Sequence, residues 1–213
     1  MQKQCNKANG AAGFSLIELM VALGITLVIM VVAGRMLAMS LNIRSRENQR
    51  TEAIADAQRA LQMITRDVNN AGLGLKTNGL SSNEPTAEIY GDIRIRSNLD
   101  AFTETAPNTT TPGDDVAYEL INDTTVTPAQ RLVTRQDINT KQISQLANRI
   151  DALQFEFLDA AGNVVAPVKA VKVRITVTVS LPSVGTPRAP GYQPPTRMQL
   201  RSEATLRNSL LKQ

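Results

Sequence analysis

Three residues near the N-terminus are spaced for chemistry: Gly13, Phe14 and Glu18 stand at the head of a long apolar run, GFSLIELMVALGITLVIMVV. The first reaction they could take part in is peptide hydrolysis. The small residues Gly10, Ala11, Ala12 and Gly13 precede the apolar run, whereas an ordinary secretory signal places small residues behind it and is cut there. A protease reading this junction removes a short basic leader, residues 1–13, and leaves the apolar helix on the mature chain. The second is ion pairing. Glu18 is the only carboxylate between Phe14 and Leu41. A carboxylate at membrane depth costs about 2.5 to 3.5 kcal/mol at the helix centre and less near the interface, so a cationic partner is expected.

Other chemistries are removed by composition. The 213-residue chain has no histidine and no tryptophan, and its one cysteine, Cys5, lies in the leader. Histidine acid/base catalysis, histidine metal sites and Ser-His-Asp or Cys-His nucleophiles are therefore excluded. The mature chain can form no internal disulfide and must hold by packing. The formal charge of +4 falls to +2 once Lys3 and Lys7 are lost with the leader, which leaves no strong nucleic-acid footprint.

The elements that position these residues follow from pattern. The uncharged run Leu19–Gly34 covers about 24 Å of a roughly 30 Å hydrocarbon core. Met36, Leu37, Ala38, Met39 and Leu41 then have to supply the rest, with Arg35 snorkelling or facing a partner. Charge does not orient the span, because Lys3 and Lys7 on one side face Arg44, Arg46 and Arg50 on the other. No proline occurs before Pro85, so the helix is expected to continue past the membrane. Ile54, Ala57, Leu61, Ile64, Val68 and Ala71 form one apolar stripe, and Gly72 and Gly74 stop the helix after roughly 58 residues, ~87 Å. From Leu75 onward, short alternating runs predict an antiparallel sheet. The clearest runs are Val171–Val179, with one buried and one wet face, and Leu153–Phe157, followed by the turn DAAGN at Asp159–Asn163. Weaker strands are read at Glu88–Arg96, Val116–Ile121, Arg131–Arg135 and Met198–Leu206. The stripe of 54–71 is the available cover for the sheet. The result is an α+β chain: leader 1–13, transmembrane helix 14–41, amphipathic continuation 42–74 and sheet domain 75–213. Loops 100–115 and 182–196 are expected to be exposed and variable in conformation.

The segment GFSLIEL and the apolar run behind it resemble the prepilin-type cleavage and methylation motif of type IV pilins and type II secretion pseudopilins. TRDVNNAGLG at the helix end, IDALQFEFLDAAGN and the closing Thr205, Leu206, Arg207, Asn208 look like PilW-type minor pilins and their J-class secretion counterparts. The resemblance implies the pilin fold, a long helix packed on an antiparallel sheet. It implies cleavage between Gly13 and Phe14 by a membrane aspartyl prepilin peptidase on the cytoplasmic side, and methylation of the new Phe14 amine. It further implies pairing of Glu18 with a neighbouring subunit's amine during docking, and a periplasmic domain on an inner-membrane anchor. Its partners are other pilin or pseudopilin subunits and the inner-membrane assembly platform. Many major pilins have a proline in the membrane helix and a C-terminal cysteine pair; neither is present, which favours a low-copy minor subunit that primes or caps a filament. The alternatives are a secretion pseudopilin, a minor pilin that binds DNA or a surface through its two long loops, and a membrane-anchored enzyme, disfavoured by the missing histidine and cysteine.

The remaining signals are read as structural. GLGLKT at 72–77 lacks the Gly-Lys pair of a phosphate loop and is read as a helix stop. Ser209 and Lys212 share Ser-x-x-Lys spacing by coincidence. Asp114, Asp115 and Asp123 are read as solvated turn acids and not as a calcium site, and Arg44, Arg46 and Arg50, interleaved with Glu47 and Glu52, as a solvated helix face. No cofactor is expected.

Overall fold

The computed structural model describes residues 14–84, 88–100, 109–125 and 130–208. The leader and Gly13 lie outside them, as do Ser209 and Lys212. Helix α1 runs unbroken over Leu16–Asn70, 55 residues, or about 82 Å. Its first half is exposed all round. Its second half buries one seam: Ala53, Ala57, Ala60, Leu61, Ile64 and Val68. The expected stripe is shifted at its start. Ile54 is only half-buried, while Ala53 and Ala60 are fully buried. Alanine at three of these positions gives the sheets a flat surface to lie on instead of a ridge.

The helix ends where the glycines predict. Gly72 and Gly74 take φ of +73° and +65°, open to glycine at no steric cost. The Gly72 N–H donates to the Arg96 carbonyl at 2.9 Å. Gly79 lies against the same point, and a Cβ there would overlap the Arg96 carbonyl oxygen.

Among the described residues eight strands follow, in two sheets where one was expected. Strands β1 (Leu80–Ser81), β2 (Ile93–Arg96), β3 (Asp115–Asp123), β4 (Gln130–Asp137) and β5 (Ile143–Ala147) form a five-stranded antiparallel meander in that order. Strands β6 (Ile150–Leu158), β7 (Lys172–Leu181) and β8 (Thr196–Thr205) form a second, three-stranded one. The break falls at Arg149, whose φ of +58° turns the chain between β5 and β6. A two-bond bridge joins Tyr90 to Phe155 across the sheets, and the Tyr90 and Phe157 rings meet edge-on at 4.9 Å. One apolar core unites the helix seam with both sheets, including Tyr118, Phe155, Phe157, Ile175 and Val177. Burying each large side chain contributes roughly 1.5 to 3 kcal/mol.

Strand β7 departs from its expected wet face. Val173, Ile175, Val177 and Val179 are buried as predicted, yet Thr176 and Thr178 are buried too. β7 is the central strand, and its register places Thr176 between Gln154 and Arg201 and Thr178 beside Gln199. Long cross-strand neighbours cover the short threonines. The DAAGN turn forms as read: Asp159 Oδ1 accepts the Asn163 N–H at 2.9 Å, and the backbone closes from Asp159 N–H to Asn163 O at 2.9 Å.

Candidate functional site

At the N-terminal end, Phe14 is 84% exposed and lies just before the helix. Ser15 has the extended backbone of a cap, and its carbonyl accepts the N–H groups of Glu18 at 3.0 Å and Leu19 at 3.2 Å. Glu18 is thus in the first turn, where free N–H dipoles favour a negative charge. No described residue forms an ion pair with Glu18, and no part of the folded domain covers Leu16–Val32. The arrangement presents a carboxylate and a bare apolar cylinder to the surroundings. Thr26, the polar residue midway, turns its hydroxyl onto the Ala22 carbonyl at 2.8 Å and leaves no unsatisfied donor there. By length and composition the helix can cross a membrane.

A second site lies further along the helix, and the sequence reading missed it. Arg46 is buried, not part of a solvated face. Its guanidinium donates to the carbonyls of Pro182 and, at 2.8 Å, of Pro194. These two residues flank the β7–β8 hairpin, which therefore packs on the helix. Most of 182–196 is exposed, as expected for this loop, and the hairpin is also hydrogen-bonded within itself. Val184 and Gln193 exchange both backbone bonds, and two tight turns follow, Ala189 N–H to Thr186 O at 3.0 Å and Tyr192 N–H to Ala189 O at 3.1 Å. The signal that could have found Arg46 is its partner's composition. Five prolines between 182 and 195 lack N–H groups, so the hairpin has surplus carbonyl acceptors that need an outside donor.

At the far end of the seam, Asp67 of α1 accepts the Tyr118 hydroxyl at 2.6 Å and Arg135 Nε at 3.0 Å, fastening the five-stranded sheet to the helix. Burial and the adjacent Asp67 carboxylate hold the Tyr118 phenol protonated far above its usual range. The acids read as solvated turn residues are mostly structural. Asp114 and Asp115 are buried; Asp114 Oδ1 caps the Leu99 N–H at 2.8 Å, and Asp115 forms a two-pronged pair with Arg94 at 2.8 and 2.6 Å. Only Asp123 sits in an open turn, with Thr125. The described part of loop 100–115 is tied at this end, where Asp114 O accepts the Ser97 N–H and Asn98 N–H reaches Leu73 O. The other long loop is at Arg46. The described end of loop 100–115 and the hairpin at Arg46 stand apart by most of the seam, roughly 36 Å of helix.

Residues 8–34 match the family described as the prokaryotic N-terminal methylation motif. The matched stretch includes Gly13, Phe14 and Glu18. This motif is the signal of type IV pilins and type II secretion pseudopilins, and its match supports the general prepilin class. No curated protein and no solved structure gives a significant match.

Proposed function

We propose that the chain is a minor type IV pilin, or a closely related type II secretion pseudopilin, made as a prepilin and acting by self-assembly. Prepilin peptidase cuts between Gly13 and Phe14, Phe14 is N-methylated, and Glu18 pairs with the amine of a neighbouring subunit as the helix leaves the inner membrane for the filament. The sheet domain is periplasmic until then. The observation that carries this reading is the methylation motif at the head of an apolar helix that the chain's own domain leaves bare. A bare cylinder of this length has to be covered by lipid or by other helices.

Intact-mass measurement of protein extracted from membranes tests it. The expected mass lacks residues 1–13 and carries one added methyl on Phe14; a full-length N-terminus in cells with active prepilin peptidase sinks the reading. Glu18→Ala is expected to insert and be cleaved but to stay out of filaments, and normal incorporation would remove the pairing role.

A further inference from the structure

The β7–β8 hairpin reaches down the helix into the stretch read as membrane-spanning. A Cβ on Gly191 would stand 2.9 Å from the Met39 Cα, and one on Gly185 would stand 3.2 Å from Asn42 Nδ2. Lipid cannot occupy the face of the helix that the hairpin covers, so Met39 does not face hydrocarbon on that side. Arg35, Met39, Asn42 and Arg46 follow one another at steps of four, three and four, which is one face of a helix. The hairpin meets the last three and leaves Arg35 exposed one turn below. Leu16–Gly34 measures about 28 Å, close to a roughly 30 Å hydrocarbon core without any residue beyond Arg35. Arg35 then falls at the level of the headgroups.

The hairpin tip approaches this level, with Gly191 against Met39 one turn above Arg35. Its one charge is Arg188, exposed and held at φ +70° in the turn Thr186–Ala189, at the position that ordinarily favours glycine. Tyr192, half-buried beside it, has the amphipathic ring suited to a membrane interface. From Leu19 to Ile43 the helix carries no charge except Arg35, and 182–195 carries none except Arg188. Within these two stretches every charge is cationic, and the first helix carboxylate beyond Ile43 is Glu47.

We infer that the hairpin tip, residues 185–193, is a membrane-surface contact that seats on anionic phospholipid headgroups, with Arg35 and Arg188 as the phosphate-binding side chains. It fixes how deep the helix sits and gives Arg35 its function. The inference rests on the helix spanning the membrane.

Because the chain has no tryptophan, single Trp reporters test both levels separately. Full-length chain is placed one per nanodisc, with lipids carrying spin-label quenchers either shallow or deep. The Val28→Trp reporter should be quenched by deep labels, Tyr192→Trp by shallow labels, and Val164→Trp, beside the far end of β6, by neither. Replacing both Arg35 and Arg188 by Gln should reduce the preference of the docked tip for anionic over zwitterionic discs by about fivefold per arginine. Quenching at 28 without quenching at 192 overturns the membrane contact and leaves the span intact. No quenching at 28 overturns the span and the contact together. A tip that is shielded only when several chains share one vesicle assigns the hairpin to a neighbouring copy and also overturns the proposal.

Discussion

At Arg46 a guanidinium is buried against two carbonyl dipoles and forms no ion pair among the described residues, and both acceptors belong to residues flanking the proline-rich hairpin. Arg46→Met keeps the stem packing and removes the bonds. It is expected to cost about 1.5 to 3 kcal/mol, read by denaturant unfolding in detergent, and to remove hydrogen-exchange protection at Val184 and Gln193 before the strands are affected. The Asp67–Tyr118–Arg135 cluster divides unequally. Tyr118→Phe removes one donor and leaves the ion pair, a loss of roughly 1 kcal/mol, while Asp67→Ala strands a half-buried Arg135 and should cost about 3 to 5 kcal/mol. Equal losses for the two variants would refute the idea that Asp67 is the centre of the cluster. These residues were not legible in the sequence because their partners are distant: 51 residues separate Asp67 from Tyr118, 68 separate it from Arg135, and 136 separate Arg46 from Pro182. Gly13, Phe14 and Glu18 were legible as a pattern because their spacing is local.

Among the elements, the helix and the strands with strong alternation were readable from periodicity alone. The helix has no interior proline, and β6 and β7 alternate over most of their length. Two strands were not readable. β1 is two residues long, and β5 exposes Ile143, Ser144 and Gln145 before burying Leu146 and Ala147, so no period-two signal exists. The division into two sheets was hidden for a different reason, since it depends on the left-handed turn at Arg149, a residue type that does not announce one. Glycine positions allow an element-level test. Gly79 and Gly162 both have positive φ, +72° and +93°, but a Cβ at Gly79 meets the Arg96 carbonyl and the Gly72 amide while Gly162 faces open space. Gly162→Ala should cost about 1 kcal/mol of backbone strain. Gly79→Ala should cost several times more, because the helix stop and the end of β2 must separate; thermal unfolding of the two variants side by side checks the difference.

For the molecule as a whole, the pH dependence of stability follows from where its shifted groups lie. Hydrogen bonds from Arg174 hold Glu203 below the ordinary carboxylate range, as the Asn163 amides do for Asp159. At Asp137 burial pushes the other way, but the N–H groups of Thr140, Gly113 and Asn139 prevail and its pKa is lowered. Groups depressed in the folded state stabilise above their unfolded pKa, and that stability is lost as pH falls below about 4. Tyr118 is raised, so its contribution is present at neutral pH and is lost as pH rises past about 10. With no histidine in the chain, the melting temperature should be level between these limits; a step near pH 6.5 would contradict this account. The layout of the second sheet also has a mechanical meaning. Its strands lie alongside the helix, tied near one end by Arg46 to the hairpin and near the other by Asn208 to the Ala71 carbonyl. A pull on the N-terminal segment therefore loads this contact in shear along its full length, and the domain cannot be peeled from the shaft one side chain at a time.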